Sequence, residues 1–195
     1  MDISLGWTGL LMSLLLLSAY ALADQAAKAE IESSGAGYNG VIMINQAAGN
    51  THQQANARSL SIGEASSARI AVSQLQDYSP VGEAQTNASA NIKGNAFSNG
   101  AGVLGVNQSA GSSNQHINAF RIEIGSLPEG LDDRGLAQSA ASSSVNSGAV
   151  APQGGDRRGE IDDQAFSGST GVVQLNQSAG VGNRTLNHLG IRIMD

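Results

Sequence analysis

One phrase is written three times in this chain: Gly40-Val41-Ile42-Met43-Ile44-Asn45-Gln46-Ala47-Ala48-Gly49, then Gly102-Val103-Leu104-Gly105-Val106-Asn107-Gln108-Ser109-Ala110-Gly111, then Gly171-Val172-Val173-Gln174-Leu175-Asn176-Gln177-Ser178-Ala179-Gly180. A supersecondary unit that recurs in this way cannot bury its apolar face alone, so its copies stack and bury that face jointly. The copies extend past the phrase. Asn56, Asn118 and Asn187 align downstream, followed by Leu60-Ser61-Ile62, Ile122-Glu123-Ile124 and Ile191-Arg192-Ile193. Upstream, Ala29-Glu30-Ile31, Ala90-Asn91-Ile92 and Gly159-Glu160-Ile161 align, and an aromatic follows at Tyr38, Phe97 and Phe166. Repeat 1 is then expected at 30–62, repeat 2 at 91–124 and repeat 3 at 160–193, with linkers at 63–89 and 126–159. Each repeat has the size of one solenoid unit.

Side chains alternate faces along a strand, and the phrase separates accordingly. One face carries Ile42, Ile44 and Gln46, then Leu104, Val106 and Gln108, then Val173, Leu175 and Gln177. The opposite face ends on Asn45, Asn107 or Asn176. In the second segment the inner face reads Asn56, Arg58, Leu60, Ile62, then Asn118, Phe120, Ile122, Ile124, then Asn187, Leu189, Ile191, Ile193. The outer face is the polar one, Ala57, Ser59 and Ser61 in the first copy, a half-buried pattern. Arg58 interrupts the inner face, which suits a first copy that either ends the stack or bends differently. Glycines at Gly49, Gly111 and Gly180 permit a turn between the two segments. The expected fold is all-β: three imperfect strand-turn-strand repeats stacked as a β-solenoid or cross-β amyloid, joined by flexible linkers.

In-register stacking sets like residues over like at about 4.8 Å. Asn45, Asn107 and Asn176 would then form one amide ladder, Gln46, Gln108 and Gln177 another, and Asn56, Asn118 and Asn187 a third. The stacking core would be Ile42, Ile44, Leu60, Ile62, Leu104, Val106, Phe120, Ile122, Ile124, Val173, Leu175, Leu189, Ile191 and Ile193. Like charges directly opposed across a ladder are destabilising, and the outer column Ser61, Glu123, Arg192 avoids them.

Composition agrees with thin, close-packed layers. Aromatics are 4% and charged residues 13% of the chain. The net charge is −6, with no basic patch of the kind nucleic acid requires. There is no cysteine and hence no disulfide framework. At the N-terminus the apolar run Leu10 to Leu17, followed by Ala21-Leu22-Ala23, reads as a secretion signal over residues 1–23.

The first linker contains Arg69 to Leu75, compatible with either a strand or a short helix, and both linkers are expected to loop out of the stack. Four glycosylation sequons, at Asn87, Asn107, Asn176 and Asn183, are read as ladder use or chance. The pairs Asp132-Asp133 and Asp162-Asp163 lack calcium-loop spacing and are read as solvated charge. His52, His116 and His188 occupy non-equivalent repeat positions and are read as surface histidines. No catalytic constellation, cofactor site or metal site is assigned.

Three repeats of the form Gly-Val-x-x-x-Asn-Gln-x-Ala-Gly-x-x-Asn, on unequal Ala/Ser/Gln/Gly linkers behind a secretion signal, resemble the functional amyloid subunits of the pseudomonad Fap family. The resemblance covers nearly the whole mature chain. It implies export through the periplasm with a chaperone and a dedicated outer-membrane pore, then self-association into extracellular biofilm fibrils or cell-surface material. The family's major subunit has longer linkers and a Cys-x-x-Cys, so the short linkers and missing cysteine resemble the minor, nucleating subunit, with the major subunit as partner. A major-subunit role, a soluble β-solenoid adhesin or surface-binding protein, and a β-helix enzyme are the alternatives. The last lacks a clustered acid and base. The adhesin needs polar caps, whereas the chain ends Gly190-Ile191-Arg192-Ile193-Met194-Asp195, inside an expected strand.

Overall fold

The computed structural model describes residues 26–64, 68–78, 87–125, 136–142 and 155–193, and the expected signal sequence lies outside them. All the regular structure among the described residues is β. Eleven strands follow in order: β1 (Ala26–Glu32), β2 (Asn39–Asn50), β3 (Gln53–Ile62), β4 (Val72–Tyr78), β5 (Asn87–Lys93), β6 (Ala101–Ser112), β7 (Gln115–Ile124), β8 (Leu136–Ser142), β9 (Arg157–Ile161), β10 (Thr170–Val181) and β11 (Arg184–Ile193).

Consecutive strands of one repeat do not pair with each other. They arch over, and each pairs with its equivalent in the next repeat, giving parallel sheets ordered β1-β5-β9, β10-β6-β2 and β11-β7-β3. Three rungs result, with the second repeat in the middle and the first and third at the ends. The register is continuous: Gly40, Gly102 and Gly171 share a row, as do Asn45, Asn107 and Asn176, and Asn56, Asn118 and Asn187. A parallel ladder buried on both faces shows in sequence as repeated apolar and amide positions, because like residues meet at every step.

The apolar core lies between the β1-β5-β9 sheet and the β2-β6-β10 sheet. Ile31, Tyr38, Ile92, Phe97, Leu104 and Val106 form its wide end, and Ala27, Ala29, Ala88, Ala90 and Ala110 its narrow end. Alanine at the narrow end lets the two sheets close where no larger side chain fits. Phe97 stacks on Phe166 with ring centroids 5.4 Å apart.

The first turn of each repeat corrects one alignment. Phe166 N–H donates to Ala96 O and Phe97 N–H donates to Ser34 O, so the row of Phe97 and Phe166 continues to Gly35 and not to Tyr38. A Cβ on Gly35 would lie 2.6 Å from the Phe97 ring, and a Cβ on Gly100 would lie 1.8 Å from the Tyr38 ring. The first copy exchanges its aromatic and glycine positions with those of the second, and each ring fills the gap above a glycine.

The linkers do not simply leave the stack. The first contributes β4 and the second β8, and these pair in parallel from Val72 opposite Leu136 to Tyr78 opposite Ser142. Of the strand and the helix compatible with the first linker, the structure has the strand, beginning at Val72. The first linker also covers the face of β7 that alternation marks as outer: Ala119, Arg121 and Glu123 are all buried. Arg121 Nη1 donates to Ala68 O at 3.0 Å, and Gln74 Nε2 donates to His116 O at 3.1 Å. Backbone acceptors meet part of this polar face, while Arg121 Nε and Nη2 stay buried without a hydrogen-bond partner among the described residues.

Candidate functional site

The second half of the repeated phrase builds two columns of side-chain amides, one on each face of the middle sheet. On the face toward β3-β7-β11, Asn176 Nδ2 donates to Asn107 Oδ1 at 3.0 Å and Asn107 Nδ2 to Asn45 Oδ1 at 2.9 Å. Facing them, Asn187 Nδ2 donates to Asn118 Oδ1 and Asn118 Nδ2 to Asn56 Oδ1, both at 3.1 Å. The columns also bond to each other across the arch: Asn56 to Asn45 at 2.7 Å, Asn118 to Asn107 at 3.0 Å and Asn187 to Asn176 at 2.9 Å. In every copy the two asparagines lie 11 residues apart, a constant offset by which the sequence itself marks this cross-link.

On the opposite face, Gln177 Nε2 donates to Gln108 Oε1 at 2.9 Å and Gln108 Nε2 to Gln46 Oε1 at 2.8 Å. The same amides reach the β1-β5-β9 backbone, Gln46 at Glu30 O, Gln108 at Asn91 O and Gln177 at Glu160 O. Each glutamine thus joins neighbouring rungs and also fastens two sheets together. Every amide-to-amide bond between rungs donates from the third rung toward the first, so the stack has a direction. Burial follows position in the stack. Asn107, Gln108 and Asn118 are fully buried, Asn176 is nearly so, Gln46, Asn56, Gln177 and Asn187 are half-buried, and Asn45 is exposed. The sequons at Asn107 and Asn176 are therefore inside the fold.

The aliphatic positions divide by height along the arch. Leu104, Val106 and Phe120 are buried, while Ile42, Ile44, Ile122, Ile124, Leu175, Leu189 and Ile191 are half-buried. Leu60, Ile62, Val173 and Ile193, expected in the interior, lie open at 64%, 68%, 42% and 48% exposure. For Leu60 and Ile62 two causes add, because β3 is an end strand and the facing wall is short. Counted from the Asn45–Asn56 bond, they face only Val41 and the start of β2, where the opposite wall runs out. Val41, Arg58, Leu60, Val103, Phe120 and Ile122 line an open groove of about 310 Å³ there. Arg58 is exposed at its rim in the end rung.

His116 is not the surface histidine its irregular spacing suggests, because it is fully buried in β7. Its Nε2 lies 2.8 Å from Ser178 Oγ of the third rung, and His52 makes the parallel contact one rung away, Nδ1 to Ser109 Oγ at 3.2 Å. Burial, with the charge of His52, pushes the His116 pKa down to about 4 against a weaker backbone hydrogen bond with Asn176. His116 is thus a neutral hydrogen-bonding member of the stack.

Charge is concentrated on the β1-β5-β9 sheet. Glu30 lies 2.8 Å from both Lys28 and Lys93, and hydrogen bonds from these two, Lys28 first, hold its pKa down to about 2. Arg158 lies 3.0 Å from Glu160. On the β11-β7-β3 sheet Arg192 sits 3.8 Å from Glu123, the adjacent rungs in the column Ser61, Glu123, Arg192. The exposed Asp162 accepts hydrogen bonds from the N–H groups of Gln164 and Gly94 and shapes the turn after β9, while Asp132 and Asp133 lie outside the described residues. Among the described residues no three His, Cys, Asp or Glu side chains are grouped as a metal would require.

Both ends of the stack are open sheets. β1, β2 and β3 form one end and β9, β10 and β11 the other, each with a row of backbone N–H and C=O groups that no neighbouring strand among the described residues occupies. The structure therefore offers two end surfaces of the repeat's own geometry. A family model described as the functional amyloid protein FapB/FapC family matches residues 17–194. No solved structure matches the chain.

Proposed function

We propose, since the chain belongs to the functional amyloid protein FapB/FapC family, that this functional amyloid subunit is the minor, nucleating one. In this reading it is exported through the periplasm with a chaperone and an outer-membrane pore, and outside the cell it templates a major subunit into biofilm fibrils. The observation that carries the reading is the three-rung register. One chain already holds three equivalent strands paired in parallel, with amide donors aligned along one direction and both ends open. A nucleus is costly when several chains must find register together, and a chain that brings three rungs pre-aligned removes most of that ordering entropy. An incoming chain then adds strands to a ready edge. In this mechanism the interior aliphatics drive the collapse of each rung, and the Asn and Gln columns set its register. Short linkers and the missing cysteine, relative to the pattern of the major subunit, support the minor role.

The test mixes a trace of the mature chain with an excess of a major subunit bearing the same repeats and follows cross-β formation. The expected outcome is a lag shortened by the trace, with fibre diffraction reflections at about 4.8 Å and about 10 Å. An unchanged lag overturns the nucleating role. A chain that by itself stays monomeric under all conditions overturns the templating mechanism.

A further inference from the structure

The two open ends match each other in two sheets and conflict in the third. Continuing the parallel ladders past the chain would set the third rung of one copy against the first rung of the next, the only orientation in which amide donors meet acceptors. In the middle sheet this places Asn176 beside Asn45, Gln177 beside Gln46 and Gly171 beside Gly40, all neutral and all pairs of like shape. In the β11-β7-β3 sheet it places Arg184 beside Gln53, His188 beside Ala57, Leu189 beside Arg58 and Arg192 beside Ser61, with no like charges opposed.

The β1-β5-β9 sheet differs. Lys28, Ser89 and Arg158 share one row, and Glu30, Asn91 and Glu160 share another. Glu32 pairs with Lys93, and Asp162 follows Ile161, the partner of Ile92, in the same row. Within one chain the middle rung therefore separates two rungs of equal sign with a neutral or opposite residue. Two ladder steps, about 9.6 Å, are comparable to the screening length at ordinary ionic strength. At a junction between two copies that spacer is gone. Arg158 would lie one step, about 4.8 Å, from Lys28, Glu160 the same distance from Glu30, and Asp162 beside Glu32. Like charges directly opposed on a ladder are destabilising. Arg158 and Glu160 are solvent-exposed, so no buried partner fixes them in another geometry.

We propose that the end strands β1 and β9 discriminate against a second copy of this chain. They favour instead a repeat-bearing chain whose facing rung is neutral or of opposite sign at these three places, as the Ser89, Asn91 and Lys93 rung is. This rests on the templating role above and adds a reason why such a chain starts fibrils that another subunit extends.

The test measures elongation of sonicated seeds by monomer of the full mature chain. Wild type is compared with R158S/E160N, which copies the middle rung at one end, and with K28S/E30N, which copies it at the other. At about 10 mM salt each variant, on its own seeds, should elongate roughly fivefold faster than wild type, and at about 500 mM the difference should close. Equal rates for all three at low salt overturn the proposal, as does a wild-type rate indifferent to salt. If none of the three forms cross-β material at either salt, the templating role itself fails, and the proposal falls with it.

Discussion

Asn107→Asp is the sharpest perturbation of the stack, because it exchanges one NH2 group for oxygen with almost no change of shape. The Asn107 Nδ2 group faces three acceptors: Asn45 Oδ1 at 2.9 Å, Ala55 O at 2.9 Å and Asn56 Oδ1 at 3.3 Å. The residue is fully buried. An ionised aspartate there would be an uncompensated buried charge, which costs on the order of 3–5 kcal/mol. That is a large part of the roughly 5–15 kcal/mol that holds an ordinary domain together. The variant escapes the cost by staying protonated, with its folded-state pKa raised above the unfolded value of about 3.9. The sign follows: stability is retained below about pH 4 and is lost as pH rises through the raised folded-state pKa. Asn45→Asp changes the same ladder at its exposed end, where water solvates the new charge, so its cost should stay below about 1 kcal/mol. The assay is the guanidinium midpoint of the monomeric chain, where Asn45 is still an exposed end, at pH 4 and pH 7.5. Asn107→Asp should approach wild type at pH 4 and fall far below it at pH 7.5, whereas Asn45→Asp should hardly move. Equal losses for the two variants, or an Asn107→Asp effect independent of pH, would refute the argument that the ladder's interior amides carry register.

Three further outcomes follow from particular contacts. His116 titrates at about 4 in the fold against 6.5 unfolded. Its contribution is therefore complete above about pH 6.5 and is lost as pH falls toward 4, by roughly 3 kcal/mol at most. His116→Gln, which copies the Gln54 of the first rung, should flatten denaturation midpoints over that window; an unchanged slope would exclude His116 as its source. Gly111 sits at φ +108°, and a Cβ there would lie 2.1 Å from Gly180 O. Gly111→Ala should therefore cost more than about 2 kcal/mol, since strain in φ and a backbone clash add. Gly37 sits at φ +68° with no atom within 4 Å of a Cβ. Only the φ strain remains there, so Gly37→Ala should cost about 1 kcal/mol, and the two midpoints in denaturant test the difference. Finally, Gly100→Ala should destabilise through the Tyr38 ring, and Tyr38→Ala should relieve much of that loss in a double-mutant cycle; additive effects would refute the ring-over-glycine contact.

The rows of the stack are legible because the sequence repeats itself at the positions that touch. Asn107 meets Asn45 and Asn176, and a residue that must bond to its own kind in the next rung leaves little freedom to vary. Three other features are hidden for separate reasons. Residue type aligns Tyr38 with Phe97, but the first copy's turn has a different length, and the contacts put a ring over a glycine where similarity suggests a ring over a ring. Alternation gives Leu60 and Ile62 the correct direction, toward the inner face, yet it cannot report that the facing strand runs out there and leaves that face open. The pairing of β4 with β8 has only a weak signature, because the two linker strands share one identical pair, Gln74 opposite Gln138, and one aliphatic pair, Val72 opposite Leu136.

Position in the stack, more than residue type, decides what each repeated residue contributes. Gln108 donates to Gln46 and accepts from Gln177, whereas among the described residues Gln46 has no rung beyond it and Gln177 no amide donor above. Two of the three rungs in a lone chain are end rungs, so most of its aliphatics are only half-covered, and its interior is essentially one rung thick. Adding a chain whose facing rung is compatible in charge converts an end rung on each partner into an interior rung. The gain per added chain thus combines burial with the second half of each amide pair. A fold of this kind is marginal alone and grows firmer with length, which is the energetic form expected of a subunit that works as a fibril.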